Sequence, residues 1–321
     1  MKFFITGGAG YIGSHLGDAL QKQGHMVRIY DDFSSGLRRR CENLFFDVIE
    51  GDILDIEKLK SSMNDIDVVV HLAAKKAVGD SVKDPETYYK NNVVGSKNVI
   101  NSMLENGIKK IIFSSTAAVY LENENSLIEE NDPVEPNSPY GNNKLEIEQY
   151  LTKVAKSEKL AAISLRYFNV VGCSENKLSD NSRENLFPKV FQAIENDKNP
   201  EIYGEDYSTE DGTCVRDYVH ISDLVSAHLI LLKHFEIGSN KIFNIGSGKG
   251  YSVRQVMLTV KKAMNKDFNV NVVGRRAGDC AKLVASIKKI ESETGWKPSE
   301  TLESMVKSAW IGWVSNRGQN D

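Results

Sequence analysis

KFFITGGAGYIGSH, at residues 2–15, combines a short apolar run, a glycine-rich turn and the start of a helical pattern. Its glycines Gly7, Gly10 and Gly13 have the spacing GxxGxxG, a variant of the GxGxxG motif. Glycines let a backbone approach a pyrophosphate closely, and a helix N-terminus supplies N–H groups and a positive dipole end. A glycine turn before a helix is also common for conformational reasons alone. Directly after the first strand, however, it predicts a dinucleotide-binding loop.

The alternation of strand and helix patterns continues through the first half of the chain. Tyr11 to Gly24 predicts a helix. Short apolar strands are predicted at Lys2–Thr6, Met26–Tyr30, Val48–Gly51, Asp67–His71, Lys110–Ser115 and Ile242–Ile245. Strands separated by helices in this way are typical of parallel βαβ units. We therefore predict an α/β fold, a doubly wound parallel (Rossmann) sheet of about seven strands, with polar surface loops at 172–185 and 204–213.

Composition and charge exclude several classes of protein. The 321 residues are 40% hydrophobic, which excludes intrinsic disorder, and the net charge of −4 gives no basic field for nucleic acid. The apolar runs are far shorter than the roughly 20 residues of a membrane span. Met1 leads directly into a strand pattern, so we expect no targeting segment. We predict a cytoplasmic protein with no nucleic-acid or membrane partner.

Cysteine and histidine residues give no pattern typical of a metal site. The four cysteines, which form no CxxC or Cys/His cluster, are Cys41, Cys173, Cys214 and Cys280. We therefore expect free thiols in a reducing compartment, and no metal. His71 and His220 are predicted to be structural.

Asp31 follows the second predicted strand, where an acidic residue can hydrogen-bond a ribose hydroxyl. A carboxylate there would also repel a 2′-phosphate, which favours NAD over NADP. The simpler alternative is that Asp31 and Asp32 form an exposed turn at the end of the strand. The basic run Arg38–Arg40 could contact a 2′-phosphate, but we predict that it is a solvated loop.

A second motif carries groups suited to acid–base chemistry. Ser114, Ser115 and Thr116 end one strand, and Tyr140-Gly-Asn-Asn-Lys144 follows after a proline-rich loop. The spacing places Tyr140 and Lys144 on one face of a helix, one turn apart. An ammonium beside a phenol favours the phenolate, so we predict that the Tyr140 pKa lies below its usual value of about 10. Tyr140 could then exchange a proton with a sugar hydroxyl, and Thr116 could share that proton.

These motifs resemble the extended short-chain dehydrogenase/reductase family, and within it the UDP-glucose 4-epimerases, also called UDP-galactose 4-epimerases. The similarity covers essentially the whole chain, and its most specific parts are the segments EDGTCVRDYVH and RRAGD. The matching segments are TGGAGYIGSH (Thr6–His15), AVGDSVKDPETYYKNNV (Ala77–Val93), FSSTAAVY (Phe113–Tyr120), SPYGNNKL (Ser138–Leu145), LRYFNVVG (Leu165–Gly172), DYSTEDGTCVRDYVH (Asp206–His220) and RRAGD (Arg275–Asp279).

The resemblance implies a role for each matching residue. The implied catalytic set is Thr116, Tyr140 and Lys144. The cofactor would be NAD, contacted by Gly7, Gly10, Tyr11, Ile12, Gly13, Asp31, Asp32, Phe33, Ser34, Ser35, Gly36, Asp52, Ile53, Leu72, Ala73, Ala74, Lys76, Asn91, Ser114, Tyr140, Lys144, Tyr167 and Phe168. The substrate would be a UDP-hexose, contacted by Lys76, Thr116, Tyr140, Phe168, Asn169, Asn185, Leu186, Tyr203, Arg216, Arg276, Asp279 and Leu283.

Within the substrate set, Arg216, Arg276 and Asp279 would hold the diphosphate and ribose, and Tyr203 would lie beside the uracil. The arginines fit this role on chemical grounds, because a guanidinium binds phosphate oxygens in a bidentate fork. A surface ion pair is the simpler alternative for either arginine. Asn185 and Leu186 would contact the nucleotide sugar.

The resemblance further implies reversible epimerisation at C4 of UDP-glucose and UDP-galactose. Hydride would pass transiently to bound NAD, through a 4-keto sugar, and then return. The NAD-binding Rossmann domain would comprise residues 1–168 and 215–250, and a smaller mixed α/β domain for the nucleotide sugar would comprise 169–214 and 251–321. The family also implies a homodimer.

Four positions depart from the usual pattern of the family. Thr116 replaces the more common serine and keeps the hydroxyl, and Leu121 replaces a glycine. Cys280 stands where proline is common. Leu283 lies at the position where a bulky tyrosine excludes N-acetyl sugars and a small residue admits them, so leucine leaves that specificity open.

Three other functions remain as alternatives. The first is a 4-epimerase of another UDP-sugar, such as UDP-GlcNAc, UDP-glucuronate or UDP-xylose. The second is a nucleotide-sugar 4,6-dehydratase, which Ala117 and Ala118 disfavour, since neither can move a proton. The third is a non-catalytic protein that binds NAD or a nucleotide sugar. The presence of Thr116, Tyr140 and Lys144 together disfavours this alternative.

Overall fold

The computed structural model describes residues 1–42, 47–121, 127–182, 184–276 and 278–316. The first half of the chain contains β1 (Lys2–Thr6), α1 (Tyr11–Lys22), β2 (Met26–Asp31), β3 (Asp47–Glu50), α2 (Ile56–Ser61), β4 (Val68–His71), α3 (Val78–Lys83), α4 (Pro85–Tyr89), a π-helix (Lys90–Gly95), α5 (Ser96–Glu105), β5 (Lys110–Thr116) and α6 (Pro139–Glu158). The second half contains β6 (Ala161–Tyr167), β7 (Asn169–Val171), α7 (Leu186–Glu195), β8 (Glu201–Tyr203), β9 (Val215–His220), α8 (Ile221–Leu231), β10 (Ser239–Ile245), β11 (Gly250–Ser252), α9 (Val253–Met264), β12 (Asn271–Val273), β13 (Lys282–Leu283), α10 (Lys288–Thr294) and α11 (Leu302–Ser315).

Seven parallel strands form the main sheet, in the order β10-β6-β5-β4-β1-β2-β3. The predicted doubly wound parallel sheet is therefore confirmed. After β3 the chain crosses back to β4, which pairs with β1 on the side opposite to β2. The strand order therefore reverses between β1 and β4, beside the glycine-rich turn. In open sheets of this kind, ligands bind at the carboxyl ends of the strands where the order reverses.

Alternate residues of the central strands pack on opposite faces of the sheet. Phe3 and Ile5 join the apolar cluster beneath α1 and α8, whereas Phe4 joins the cluster beneath α5 and α6. All three are fully buried. A strand covered on both faces must be apolar along its whole length, which explains why the strands are continuous apolar runs in the sequence.

A smaller layer lies beyond the main sheet. β9 pairs with β7, β11 and β13, and β8 pairs with β12. Helices α7, α9 and α11 pack together around a third apolar cluster that includes Phe191 and Met305. The proposed domain boundaries stay a prediction. Within the segment 215–250, β10 lies in the main sheet whereas β9 lies in the smaller one.

The basic run Arg38–Arg40 is not the solvated loop that we predicted. It forms a short 3-10 helix, and only 2% of Arg40 is exposed. Arg40 donates hydrogen bonds to Ser179 O at 2.5 Å and to Asn181 Oδ1 at 3.0 Å. The prediction failed because these acceptors belong to a segment about 140 residues further along the chain.

Candidate active site

The glycine-rich turn packs too closely for any side chain. Gly7 has φ +68°, and a Cβ on it would lie 2.7 Å from Ala73 N. A Cβ on Gly13 would lie 2.5 Å from Gly7 O. Gly10, the N-cap of α1, has no side chain to cover the first helical turn. The N–H groups of that turn therefore face a cradle of bare backbone, which fits a pyrophosphate.

Asp31 joins the glycine-rich turn to the end of β2. Its carboxylate accepts hydrogen bonds from Ala9 N and Phe33 N, both at 2.9 Å. Asp31 is buried and burial raises its pKa, whereas Asp32 is exposed. The alternative of an exposed turn is therefore wrong for Asp31, and the loop that follows it is held in one conformation.

The residues predicted to surround the adenosine lie around this loop. Phe33 has φ +56°, and the Arg38 guanidinium lies 4.1 Å from the centre of its ring. Ser34 N and Oγ both donate to Asp32 Oδ1. After the end of β3, the Asp52 side chain accepts a hydrogen bond from Leu54 N, and Ile53 is buried. Exposed Ser35 and buried Gly36 complete the loop.

The segment Leu72–Lys76 follows β4 and lies against the glycine-rich turn. Asn92, in the π-helix, holds this segment: its Oδ1 accepts from Lys75 N at 2.8 Å and its Nδ2 donates to Lys75 O at 2.9 Å. Lys76 is exposed, and Asn91 is half-buried beside Asn92. Asn91 was predicted to contact the cofactor, whereas the adjacent Asn92, which makes these hydrogen bonds, was not predicted to have a role.

Thr116, Tyr140 and Lys144 lie together at the carboxyl end of β5. Thr116 is the last residue of β5, and its side chain hydrogen-bonds Tyr140, in the first turn of α6. Tyr140 N also donates to the Ser81 hydroxyl at 3.2 Å, which fixes the start of the helix. Lys144 lies one turn later, with Nζ 6.0 Å from the centre of the Tyr140 ring.

The predicted lowering of the Tyr140 pKa is wrong for this arrangement. Burial raises the Tyr140 pKa to about 12, although the hydrogen bond with Thr116 opposes the shift. Burial lowers the Lys144 pKa to about 7. Lys144 Nζ donates to Ser114 O at 2.7 Å and so is directed at the strand rather than at the phenol. The ammonium therefore stabilises the phenolate too weakly to overcome burial.

Replacing Lys144 with methionine is expected to stabilise the protein at neutral pH. The folded-state pKa of Lys144, about 7, lies below the ordinary value of about 10.4, so between these values the unfolded chain binds more protons. In the wild type this group makes stability rise with pH across that window. Lys144→Met removes the free-energy cost of burying the charged ammonium. The free energy of unfolding should therefore increase by on the order of 1–3 kcal/mol at pH 6.5 and by less at pH 10.

Urea unfolding of nucleotide-free protein at the two pH values would measure this difference. Lys153→Met is the matched control, because Lys153 lies on the same helix and is exposed. A Lys144→Met variant that is destabilised more strongly at pH 6.5 than at pH 10 would contradict the prediction.

Several residues predicted to bind the substrate cluster where β9 and β13 run side by side. Leu283 is the register partner of Arg216, and Arg216 Nη1 donates to Cys280 O at 2.8 Å. Arg216 Nη2 lies 3.4 Å from Asp279 Oδ1. Leu283 also packs against the apolar cluster that contains Phe168. This cluster includes Ala117, which follows Thr116, so the position of Leu283 is tied to the end of β5.

The other residues predicted to bind the substrate lie on neighbouring loops and strand ends. The Arg276 guanidinium lies 4.5 Å from the centre of the Tyr203 ring, and Tyr203 OH donates to Glu201. Asn185 is the N-cap of α7 and donates to Asp180, and Leu186 begins that helix. Asn169 is exposed. Of the RRAGD segment, Ala277 lies outside the described residues.

Tyr167 is held from the α8 side. Its hydroxyl forms a 2.7 Å hydrogen bond with His228 Nε2, and burial raises its pKa well above the usual value. Tyr167 is the register partner of Thr116 across β5 and β6. Tyr167 was predicted to contact NAD. Its hydroxyl is already engaged by His228, so we expect any such contact to involve the end of β6 rather than the hydroxyl.

A buried ion pair behind α6 was not predicted from the sequence. Arg166 Nη2 lies 2.7 Å from Glu148 Oε2, and both side chains are almost fully buried. Ser115 Oγ donates to the same carboxylate. Glu148 follows Lys144 by four residues, so helical spacing places it on the same face. That spacing was the available signal.

Among the described residues, no group of three His, Cys, Asp or Glu side chains could hold a metal ion. No helix in that part of the chain is long and apolar enough to cross a membrane. The four cysteines, all of which lie within the described residues, form no disulfide bond.

Comparison with known proteins gives consistent matches over almost the whole chain. Residues 3–246 match the model of the NAD dependent epimerase/dehydratase family. The chain is 41% identical over 318 residues to a UDP-glucose 4-epimerase of Halalkalibacterium halodurans, covering 97% of this chain and 95% of the relative. It is also 41% identical over 313 residues to a UDP-glucose 4-epimerase of Corynebacterium glutamicum, again covering 97% and 95%.

A solved structure shows that the similarity extends to the fold. It is a UDP-glucose-4-epimerase from Stenotrophomonas maltophila with bound NAD and formylated UDP-arabinopyranose. Its TM-score is 0.92 at 32% identity, covering 99% of this chain and 100% of that chain.

Proposed function

The chain belongs to the NAD dependent epimerase/dehydratase family, and we propose that it interconverts UDP-glucose and UDP-galactose by epimerisation at C4. The observation that carries this proposal is the placement of Thr116, Tyr140 and Lys144 together at the carboxyl end of β5. β5 neighbours β4, whose carboxyl end packs against the glycine-rich turn. The acid–base groups thus lie at the end of β5, and only β4 separates them from β1 and the cradle that fits a dinucleotide.

The residues around the glycine-rich turn would hold NAD. The backbone from Gly7 to Gly13 would bind the pyrophosphate, and the loop held by Asp31 would bind the adenosine ribose. The segment Leu72–Lys76, held by Asn92, would form the wall on the nicotinamide side. Bound NAD would accept the hydride from C4 of the sugar and, in its oxidised form, would supply a positive charge near Tyr140.

Tyr140 would have to be a phenolate to act as the base, and the positive charge of bound, oxidised NAD together with the Lys144 ammonium would favour that form. The phenolate would take the proton from the O4 hydroxyl of the sugar and later return it. Thr116, already hydrogen-bonded to Tyr140, would orient that hydroxyl. Lys144 would hold positive charge below the phenol while anchored to Ser114 O. Because the proton goes out and back through the same group, one tyrosine can serve both directions.

The cluster around Arg216 would hold the UDP part of the substrate. Arg216 and Arg276 are the cations suited to the diphosphate, and Asp279 lies beside Arg216. The Tyr203 ring would stack on the uracil on the face opposite the Arg276 guanidinium. Asn185 and Leu186, at the start of α7, would contact the sugar. The smaller layer would thus hold the UDP part, whereas O4 of the sugar would face Tyr140 at the end of the main sheet.

Two finer proposals rest on the family rather than on a contact described above. We propose that the protein acts as a homodimer, which sedimentation velocity would test. We also propose a cytoplasmic location, which cell fractionation would test.

Incubation with UDP-galactose and no added nicotinamide tests the proposed function. We expect UDP-glucose to form, with no net NADH absorbance, because the hydride is returned in every turnover. UDP-GalNAc and UDP-galacturonate, supplied separately, distinguish the alternative UDP-sugars, and the rate ratio with UDP-GalNAc reports whether Leu283 closes the pocket. Conversion of UDP-GalNAc alone would favour that alternative. No conversion of any sugar, even with NAD supplied, would contradict the proposal and favour a binding protein.

A further inference from the structure

A chain of buried polar side chains crosses the main sheet beneath the glycine-rich turn. His71, the last residue of β4, contacts Thr6 Oγ1 through Nδ1 and Ser96 Oγ through Nε2, both at 2.7 Å. Thr6 Oγ1 lies 3.3 Å from Ala73 N, and Ser96 Oγ lies 2.5 Å from Asn92 O. All three side chains are almost fully excluded from solvent. We call this chain, Thr6–His71–Ser96, the histidine relay.

The two ends of the relay determine the direction of every hydrogen bond in it. Asn92 O can only accept, so the single Ser96 hydroxyl proton is directed at it. Ser96 Oγ must then accept a hydrogen bond from His71 Nε2–H. In a neutral imidazole the other nitrogen, Nδ1, is an acceptor, so Thr6 donates to it. The lone pairs of Thr6 Oγ1 remain free to accept from Ala73 N–H.

The relay fits a neutral ring. Burial lowers the pKa of His71 to about 3, and the Lys144 ammonium acts in the same direction. A protonated ring would direct Nδ1–H at Thr6, and the Thr6 proton would then lack its acceptor. The arrangement therefore remains the same at pH values well above 3.

The relay ends on the segments proposed to surround the nicotinamide side of NAD. Thr6 immediately precedes Gly7, and Ala73 N lies where a Gly7 Cβ would meet it. At the other end, Asn92 exchanges two hydrogen bonds with the backbone of Lys75. Resting on the proposed function, we infer that His71, as the Nε2–H tautomer, is a positioning residue that fixes the segment Leu72–Lys76 against the glycine-rich turn and so retains NAD.

Conservative variants of the two hydroxyl residues test the inference without removing the ring. Thr6→Val and Ser96→Ala each delete one link, while Thr6→Ser keeps the hydroxyl. Ser102→Ala is the matched control, because Ser102 is a buried serine on α5 whose side chain lies outside the relay. We expect NAD to leave the holoenzyme about tenfold faster in Thr6→Val and Ser96→Ala, and at the wild-type rate in Thr6→Ser and Ser102→Ala.

The rate is measured by diluting each holoenzyme into excess competing nucleotide and following the release of NAD, so no turnover is needed. NAD release at the wild-type rate from Thr6→Val and Ser96→Ala would overturn the inference and leave the proposed function intact. So would accelerated release from Thr6→Ser or Ser102→Ala equal to that from the deletions. A wild-type protein that retains no NAD would overturn the inference, whereas the proposed function would still be decided by conversion of UDP-galactose with NAD supplied.

Nitrogen-15 NMR of the histidine side chains tests directly the tautomer that the inference assigns to His71. We expect the His71 ring to show a protonated Nε2 and an unprotonated Nδ1, with no titration between pH 5 and 9. A protonated Nδ1, or a ring that titrates in this range, would overturn the inference whether or not NAD is bound.

Discussion

Tyr140→Phe is expected to lower kcat for the conversion of UDP-galactose to UDP-glucose by about 10²–10⁴-fold, the contribution typical of a positioned acid–base group. The substitution keeps the ring and removes only the hydroxyl. Thr116 remains, but an alcohol is too weak a base to take the O4 proton. Since Tyr140 is proposed to act on the reacting hydroxyl and not to hold the diphosphate, KM for the UDP-sugar should change far less than kcat.

Tyr150→Phe is the matched control for this loss. Tyr150 lies on the same helix, ten residues further on, and its hydroxyl hydrogen-bonds Asn101 at 2.9 Å. Steady-state kinetics of both variants, with thermal unfolding to verify the fold, would measure the difference. Undiminished turnover in Tyr140→Phe would contradict the mechanism. Equal losses in the two variants would assign the effect to the helix rather than to the Tyr140 hydroxyl.

The main sheet was predictable from the sequence because its strands are buried on both faces. Phe3, Phe4 and Ile5 must all be apolar, so each strand stands out as a short run followed by a turn. Most of the predicted strand ends were displaced by no more than one residue, but β10 begins at Ser239, three residues before the predicted start. β5 continues to Thr116, so the hydroxyl proposed to be catalytic belongs to the strand itself. Periodicity fixes the existence of a strand more reliably than its final hydrogen bond.

The candidate acid–base residues were predictable because helical spacing is local. Tyr140 and Lys144 lie one turn apart, and the following turn brings Glu148 to the same face. The pKa values were not predictable from that spacing. They depend on Ser114 O, which accepts a hydrogen bond from the Lys144 ammonium, and on the burial of the Tyr140 phenol. Both are consequences of packing between α6 and β5, and neither leaves a mark in the local sequence.

Long-range contacts could not be predicted from the sequence either, because they also depend on packing between distant segments. The burial of Arg40 depends on acceptors at Ser179 and Asn181, and the histidine relay depends on a serine 25 residues after His71. A charged run and a lone histidine have the same sequence pattern whether or not such partners exist. Only the folded chain shows that the loop after β2 and the segment at 176–181 are held together.

The ion pair between Glu148 and Arg166 predicts the largest change in stability. Arg166 Nη2 and Nε lie 2.7 and 3.0 Å from the two carboxylate oxygens of Glu148, and the side chains are 4% and 2% exposed. Arg166→Met would leave the Glu148 carboxylate buried beside Ser115 without its paired guanidinium. Removing one partner of a buried ion pair typically costs about 3–5 kcal/mol. We therefore expect the free energy of unfolding to fall by about that amount.

The double variant Glu148→Gln/Arg166→Met separates loss of the pair from loss of the charge balance. Glutamine keeps the shape of Glu148 and can still accept from Ser115, so most of the lost stability should return. Lys60→Met is the control, because Lys60 pairs with Glu105 on the surface, where ion pairs contribute little. Urea unfolding of the three variants would measure these differences. If Arg166→Met cost no more than Lys60→Met, the carboxylate would not need its cation. The packing of α6 against β5 and β6 would then rest mainly on apolar contacts such as those of Ile147 and Leu151.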